Sequence, residues 1–238
     1  MAVVLSRWLT MHLPCVVVFV KAPWPGQVKT RLAQAVGQTH AVELYRCFGQ
    51  DVVATVDRLA ADSAIFFTPS DGLDAVKDWL GPGRRYCAQQ GQTLGDRMAH
   101  AFCESFRWGS PATLILGSDS PDLPSAILQQ ALEALRSQRT PIGPTEDGGY
   151  YTLGFTPETY CSEVFRDMPW STAEVYALTH QTLQQQSHSI TVLPRWTDID
   201  TQDDLWRFYQ RHCQTADPAL CGHHTLQYLH THASTLWH

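Results

Sequence analysis

The sequence predicts one three-layer α/β/α domain, in which a mixed, mostly parallel sheet lies between two layers of helices. Predicted strands alternate with predicted helices along most of the chain, an order typical of parallel sheets with both faces covered. Residues 15–20 and 112–116 form short apolar and β-branched runs, as expected for strands buried on both faces. These two observations together predict the fold class.

Each element follows from a local pattern. Apolar side chains recur at every fourth position from Leu44 to Val56, and again within 94–106, so that each set shares one face of a helix. Pro69 ends the strand predicted at 64–68, and the glycines at 81 and 83 end the helix predicted at 72–80. In chain order, strands are expected at 15–20, 64–68, 112–116, 140–143, 150–155 and 190–193, and helices at 28–36, 39–61, 72–80, 94–106, 125–136, 172–186 and 202–212.

The composition limits the class of protein. The chain has 238 residues, with 17 Lys and Arg against 23 Asp and Glu, a formal net charge of -6. Non-specific binding of nucleic acid needs a basic face, so this partner is not expected. The longest apolar run, over 13–20, is too short to span a membrane. Seven scattered cysteines make a poor disulfide framework. We therefore predict a cytoplasmic protein with neither nucleic acid nor membrane as a partner.

The sequence divides into three parts. Residues 1–12 are predicted to be a flexible leader, 13–211 the α/β domain, and 212–238 an extension that holds six of the 11 histidines. Two interpretations of the extension stay open. Its histidines and cysteines have the ligand types of a zinc or nickel site. It could equally form a polar terminal helix that packs on the domain through Leu226 and Leu229.

A basic loop follows the first predicted strand. It carries Lys21, Lys29 and Arg31, with Gly26 and Thr30 between them, and only three lysines occur in the whole chain. A rigid loop whose backbone amides open toward a helix N-terminus binds anions, and the cations add charge for a diphosphate. It is not a Walker A loop, since no glycine directly precedes the lysine. An ordinary basic strand–helix loop is the alternative.

Acidic residues follow two other predicted strands. Asp119 and Asp122 come directly after the strand at 112–116, and Asp200 follows the last strand within an Asp-x-Asp pair. Carboxylates at these positions can hold a hard divalent cation that also binds phosphates, so the three are candidate metal ligands. The alternative is local: Asp122 would then only cap the helix that follows it, and Thr201 or Asp200 would only cap the helix predicted from about residue 202.

A glycine-rich turn lies between two predicted strands. Gly148 and Gly149 would let backbone approach a ligand closely. Glu146 and Asp147 beside them could bind the hydroxyls of an acceptor, and Tyr150 could pack on a ring. A plain hairpin turn explains the Asp-Gly-Gly sequence equally well.

A tryptophan precedes the helix predicted over 172–186. Trp170 and Ser171 are candidate acceptor-binding residues, and Ser171 or Thr172 is a candidate N-cap. Trp170 is equally compatible with a place in the core.

The order of these motifs resembles that of a known family. The chain is similar, over about 16–206, to bacterial GT-A-like glycosyltransferases of the DUF2064 type, the selenodomain-associated or arsenosugar-biosynthesis group. More distantly it resembles the nucleotidyltransferases that load molybdopterin and the phospholactate guanylyltransferases. The matching motifs lie at 19–31, 94–98, 117–124, 143–151, 170–172 and 198–201.

The resemblance implies a nucleotide-diphospho-sugar transferase fold. It implies a divalent cation, Mg²⁺ or Mn²⁺, on Asp119 with Asp200 as a second ligand. The segment 90–97 is similar to the one that lines the nucleotide base, which makes Arg97 a candidate nucleotide-binding residue. The candidate phosphate-binding residues are Lys21, Gly26, Lys29, Thr30 and Arg31.

The predicted activity is transfer of a sugar from a nucleoside-diphosphate sugar to a small-molecule acceptor. Asp119, Asp147 and Lys29 are the candidate catalytic residues. Nucleotidyl transfer, which releases pyrophosphate from a nucleoside triphosphate, is the first alternative because it uses the same cations. A non-catalytic nucleotide or metal sensor is the second.

Overall fold

The computed structural model describes residues 13–213 and 222–237, so the predicted leader over 1–12 lies outside the described residues. The strands are β1 (Cys15–Lys21), β2 (Asp62–Thr68), β3 (Arg85–Ala88), β4 (Thr113–Gly117), β5 (Thr140–Pro144), β6 (Tyr150–Phe155) and β7 (Ile190–Val192). The helices are α1 (Thr30–Val36), α2 (Gln38–Val56), α3 (Leu73–Leu80), α4 (Leu94–Arg107), α5 (Ser125–Arg136), α6 (Val175–Gln185), α7 (Gln202–His212) and α8 (His223–Leu236).

The described strands form one mixed sheet, which confirms the predicted fold class. The strand order is β3-β2-β1-β4-β6-β5-β7. The first four strands in this order are parallel, and β5 is parallel to β7. Only β6 runs against its neighbours. As a result, the carboxyl ends of β1, β4, β5 and β7 meet at one edge of the sheet.

Helices cover both faces of this sheet. In β1, Val16, Val18 and Val20 join an apolar cluster with α2, α3 and α5 on one face. The intervening Cys15 and Val17 join a second cluster with α4 and α6 on the other face. This alternation is the period-2 pattern of a strand. Burying each Val, Leu or Phe side chain stabilises the fold by about 1.5–3 kcal/mol, so β1 anchors both layers.

A third apolar cluster joins the two ends of the chain. It contains side chains from α1, α2, α7 and α8, among them the buried Leu226 and Leu229. The described part of the extension therefore packs on the domain as a helix, as one of the two interpretations expected. Buried Asp51 of α2 accepts hydrogen bonds from the backbone N–H groups of His224 (2.8 Å) and Thr225 (2.9 Å). It thus caps the first turn of α8 from another helix.

Two details differ from the sequence-based expectation. Strand β3 was missed because its four residues are only partly buried and include Arg85. Helix α6 begins at Val175 after Glu174, and no side chain caps it, so neither Ser171 nor Thr172 is its N-cap. Within the described ranges, no helix is long and apolar enough to cross a membrane.

Candidate functional site

The loops that follow β1 and β4 and the segment after β7 meet at the shared edge of the sheet. A backbone hydrogen bond from Ile199 N to Asp119 O (2.9 Å) fastens the last of these segments to the β4 loop. Lys29, Asp119 and Asp200, which are up to 171 positions apart in sequence, come into direct contact there. The part of this edge where these loops meet is the candidate site.

An ion cluster forms the centre of this site. Lys29 Nζ lies 2.6 Å from Asp119 Oδ1 and 2.8 Å from Asp200 Oδ1. Arg31 pairs with the other oxygen of Asp200. Two carboxylates and two cations therefore neutralise one another within the cluster.

Lys29 is held tightly in this position. Its side chain is only 4% exposed, and its ammonium lies over the ring of Phe48, 5.6 Å from the centroid. Burial by itself lowers the pKa of Lys29, but attraction to Asp119 and Asp200 outweighs it, and the pKa is raised. Lys29 is therefore a permanent cation. Its backbone has φ 46°, a left-handed conformation that non-glycine residues rarely adopt, at the N-cap of α1.

A capping box fixes Asp200. The Thr201 hydroxyl accepts a hydrogen bond from Asp204 N (3.3 Å), and the Asp204 carboxylate accepts from the N–H groups of Thr201 (2.9 Å) and Asp200 (3.2 Å). Thr201, rather than Asp200, is thus the N-cap of α7. This leaves the Asp200 side chain free for the cations, although burial opposes its charge. The pKa of Asp200 is still lowered, because Lys29 and Arg31 stabilise the ionised form.

Tyr45 of α2 contacts the chain at the ends of both β1 and β4, and the sequence analysis did not identify it. Its hydroxyl accepts a hydrogen bond from Lys21 N (2.8 Å) and lies 3.2 Å from Ser118 Oγ. Burial, with a contribution from the charge of Asp119, raises the pKa of Tyr45 to about 12. The every-fourth-residue pattern from Leu44 to Val56 does not include Tyr45, and such a pattern does not show which polar atom a hydroxyl meets.

Asp198 adds a carboxylate with an unusual pKa. Burial raises its pKa to about 6, and the charges of Asp200 and Asp147 add to this effect. The carboxylate of Asp147 is therefore close enough to Asp198 to interact with it electrostatically. Asp198 is therefore partly protonated close to neutral pH.

The turn between β5 and β6 is rigid. Asp147 Oδ1 accepts hydrogen bonds from the Thr145 hydroxyl (2.5 Å) and from Gly149 N (3.0 Å). Gly148 has φ 90°, and a Cβ there would lie 2.1 Å from Ala173 O. Both glycines are thus explained by the turn itself. The side chains of Glu146 and Asp147 are exposed, which leaves them available to an acceptor.

Tyr150 is not placed to bind an acceptor. Its hydroxyl faces Met98 Sδ (3.7 Å), and its ring packs against the apolar cluster under α4 and α6. Trp170 packs on the first turn of α4, since a Cβ on Gly95 would lie 2.8 Å from its Cζ2 atom. Ser171 is exposed and has φ 67°. Of the two predicted acceptor-binding residues before α6, Trp170 is half-buried and Ser171 is exposed.

The other nucleotide-binding candidates lie in or next to the loop between β1 and α1, except for Arg97 of α4. Lys21, Gly26, Thr30 and Arg31 are exposed along the loop between β1 and α1. Gly26 has φ 76°, which glycine adopts without strain. Arg97 is half-buried, and its Nε donates to Gly91 O (3.2 Å), which folds the segment before α4 back on itself.

Asp122 is committed elsewhere. Its side chain is 2% exposed and accepts hydrogen bonds from Trp196 Nε1 (3.0 Å) and Arg211 (3.2 Å), while His212 Nε2 lies 2.9 Å away. The carboxylate therefore ties the β4 loop to α7. This arrangement argues against the predicted metal role of Asp122, and against a helix cap as well, because α5 begins after Pro124.

Asp119 and Asp200 can hold a divalent cation under one condition. The two carboxylates already face one cation, the Lys29 ammonium, and oxygen ligands of this kind suit Mg²⁺ or Mn²⁺. Asp119 is 43% exposed, so phosphate or water could complete the shell. In the described chain, no three His, Cys, Asp or Glu side chains are arranged as a ready metal site. The pair therefore fits the cation only when the ammonium leaves.

The extension does not form the alternative metal site within its described part. His212 faces Asp122, while His40 Nδ1 lies 2.7 Å from the Tyr228 hydroxyl beside the ring of His232. Cys221 and His238 lie outside the described residues.

The fold and the sequence together define the class of protein. A solved structure from Desulfovibrio desulfuricans G20, described as a candidate nucleotide-diphospho-sugar transferase, is 37% identical to this chain, with a TM-score of 0.88. The match covers 95% of this chain and 97% of that one. Residues 52–172 match the DUF2064 model, which is described as an uncharacterized protein conserved in bacteria. The chain belongs to this family, which confirms the resemblance seen in its motifs.

More distant structures share the fold alone. The CMP:2-keto-3-deoxy-manno-octonic acid synthetase, solved with CTP, is 12% identical with a TM-score of 0.54, over 84% of this chain and 99% of its own. The 4-diphosphocytidyl-2C-methyl-D-erythritol synthase from Anaerococcus prevotii DSM 20548 is 15% identical with a TM-score of 0.53, over 84% and 96%. No curated protein matches the sequence.

Proposed function

We propose that this chain transfers a sugar from a nucleoside-diphosphate sugar to a small-molecule acceptor. The observation that carries the proposal is the ion cluster of Lys29, Arg31, Asp119 and Asp200 at the carboxyl edge of the sheet. Ligands of open α/β sheets bind at this edge. The relative from Desulfovibrio desulfuricans G20, whose description names the same class of activity, supports this proposal.

The donor's diphosphate would bind along the loop between β1 and α1. Lys21 and Arg31 are exposed cations there, and Lys29 has one N–H donor left after its two carboxylate partners. Gly26 and Thr30 lie between them, where backbone amides can add hydrogen bonds. Groups that are fixed in advance around the leaving diphosphate stabilise the charge that develops on it.

The cation that we expect is Mg²⁺ or Mn²⁺, held by Asp119 and Asp200. When bound, it would neutralise phosphate charge and so assist departure of the leaving group. The chain's own contribution is to hold the two carboxylates facing each other through the Ile199–Asp119 backbone bond and the capping box of α7.

The acceptor would bind on the side of the β5–β6 turn. Asp147 is oriented by Thr145 and Gly149, and the exposed Glu146 and Ser171 lie on the two segments that meet there. We expect Asp147 to orient an acceptor hydroxyl or to take its proton.

Nucleotidyl transfer is the second candidate function. The observation that favours it is the cation loop itself, which would hold a triphosphate as readily as a diphosphate. In that case the acceptor would be a phosphate or carboxylate compound, and pyrophosphate would leave.

A donor screen separates the two reactions. Nucleoside triphosphates and nucleoside-diphosphate sugars are supplied one at a time with Mg²⁺ or Mn²⁺, and released nucleoside diphosphate and pyrophosphate are assayed separately. Release of nucleoside diphosphate from a sugar nucleotide is expected. Release of pyrophosphate from a triphosphate would instead show that the reaction is nucleotidyl transfer. Nucleotide binding without any release would favour a sensor. Lys29→Met should abolish turnover, and Lys77→Met, which removes the same charge far along the chain, should not.

A further inference from the structure

The candidate metal ligands already hold a cation that belongs to the chain. Asp119 Oδ1 and Asp200 Oδ1 both lie within 2.8 Å of Lys29 Nζ, and Arg31 takes the remaining oxygen of Asp200. The cluster is therefore neutral without any added ion. A divalent cation seated between the same two oxygens would lie against the ammonium, and like charges at that distance repel strongly in a partly buried site.

The position of this ammonium is built into the fold. Lys29 adopts a left-handed backbone conformation, the ring of Phe48 lies under its ammonium, and its side chain is 4% exposed. Strained backbone persists only where its surroundings impose it, and it concentrates at ligand-binding and switch positions. Lys29 also begins α1, directly after the exposed loop along which donor phosphates would bind.

We propose that Lys29 is an internal competitor for the divalent cation. Without donor, its ammonium closes the Asp119–Asp200 pair to metal, and the donor's phosphates open the pair by drawing the ammonium toward themselves. Metal therefore binds after the nucleotide or together with it. This inference rests on the proposed function, because it takes a nucleotide diphosphate as the ligand that moves Lys29.

The chemistry of lysine supports this exchange. Its ammonium is a compact charge on a flexible four-carbon stem, so it can change partners while the backbone stays in place. Phosphate oxygens offer the ammonium a charged acceptor equivalent to the carboxylates that it leaves. The two freed carboxylates, together with phosphate and water, form the mixed ligand shell that Mg²⁺ prefers.

Binding of Mn²⁺ to the protein without nucleotide tests the competition directly. Free Mn²⁺ is followed by electron paramagnetic resonance while it is titrated with wild type, Lys29→Met and Lys77→Met. Lys29→Met should bind one Mn²⁺ at least ~10-fold more tightly than wild type, a difference of ~1.4 kcal/mol. Lys77→Met should bind like wild type, since it lowers the net charge equally but lies elsewhere. Equal affinity of wild type and Lys29→Met would overturn the proposal.

A second measurement uses the wild-type protein only, in case Lys29→Met does not fold. Mn²⁺ is titrated with and without ADP, GDP, CDP or UDP, with Asp119→Asn as the reference for Mn²⁺ that the nucleotide binds by itself. Binding that needs both the nucleotide and Asp119 supports the proposal. Tight 1:1 binding of Mn²⁺ by wild type alone, lost in Asp119→Asn, contradicts it. If no nucleotide binds, the proposed function fails, and the comparison of Lys29→Met with wild type still decides the competition.

Discussion

At the scale of single residues, Asp198 is a carboxylate whose charged form is opposed by burial. Its pKa is raised to about 6 by burial and by the carboxylates of Asp200 and Asp147, against 3.8 for a free side chain. Well below pH 3.8 the Asp198 carboxyl is protonated in both the folded and the unfolded state. As pH rises from 4 to 6 the unfolded state ionises more readily, so the stabilising contribution of Asp198 is lost.

We therefore expect Asp198→Asn to raise the free energy of unfolding at pH 8 by about 1 kcal/mol, after allowance for solvent screening. At about pH 3, where the Asp198 carboxyl is mostly protonated in both states, the substitution should have almost no effect. Urea denaturation at the two pH values measures the change in the free energy of unfolding at each. Asp200→Asn is the control of opposite sign: the pKa of Asp200 is lowered, so its stabilising effect is present at pH 8 and is lost in acid. Destabilisation by Asp198→Asn at pH 8 would contradict this account.

A second residue-scale prediction concerns Gly148. It has φ 90°, and a Cβ there would lie 2.1 Å from the backbone oxygen of Ala173. Gly148→Ala must displace backbone, and we expect it to lower the free energy of unfolding by at least about 2 kcal/mol in urea. Gly83→Ala is the control, because a Cβ at Gly83 meets nothing within 4 Å. Equal effects of the two substitutions would show that the contact with Ala173 does not constrain the turn.

For single residues, the sequence predicts at which edge of the sheet a residue lies better than it predicts which side chains the residue contacts. The order of strands places Lys29, Asp119 and Asp200 at one edge of the sheet, because the carboxyl ends of parallel strands coincide there. It cannot show that Lys29 lies between the two carboxylates, or that Asp122 turns away toward α7. Those outcomes depend on side-chain direction and on partners such as Trp196, which lies 74 positions away.

At the scale of elements, local pattern predicted most helices and strands to within a few residues. It failed where the pattern is weak. Strand β3 is short and half-exposed, and its position follows from pairing with β2 rather than from its own residues. Helix α8 was one of two open interpretations, because its histidines are compatible with either a metal site or a surface helix. Packing of Leu226 and Leu229 against α2 supports the helix.

A buried carboxylate adds to the apolar contacts that dock α8 on the domain. Asp51 Oδ2 accepts hydrogen bonds from Thr225 N (2.9 Å) and Thr225 Oγ1 (2.6 Å), and Oδ1 accepts from His224 N (2.8 Å). Asp51→Ala leaves these donors without a partner, so we expect it to lower the free energy of unfolding by about 1–3 kcal/mol. Hydrogen exchange of α8 should accelerate, while β1 and β4 stay protected.

Asp78→Ala is the control, since Asp78 is exposed on α3. It should change the free energy of unfolding by no more than about 0.5 kcal/mol. Urea denaturation and amide exchange measured by mass spectrometry compare the two variants. If exchange rises equally over all elements in Asp51→Ala, the carboxylate supports the whole domain rather than the docking of α8.

For the whole molecule, the distribution of charge matters more than its sum. The net charge of -6 argues against large polyanions, yet Lys21 and Arg31 stand exposed beside the Lys29 cluster at one edge. This geometry favours a small anion that fits between a few cations over a long one that would also meet the acidic remainder of the surface. Composition therefore predicts a small anion rather than a large one as the partner, and we expect the exposed cations at this edge of the sheet to bind it.

Thermal unfolding measures this selectivity. At ~100 times its dissociation constant, a nucleoside diphosphate that binds only the folded state adds ~2.7 kcal/mol, which for a chain of this size corresponds to a rise in Tm of about 5–10 °C. We expect such a rise with at least one of ADP, GDP, CDP and UDP, and a smaller rise in 0.5 M NaCl because salt screens the exposed cations. A 20-base-pair DNA duplex at the same phosphate concentration should leave Tm unchanged, since a chain with a net charge of -6 is expected to repel a long polyanion. Lys77→Met should keep the nucleotide effect and Arg31→Met should reduce it. A DNA-induced rise equal to that of the nucleotide would mean that the cations at this edge act as an open basic patch and not as a site for a small anion.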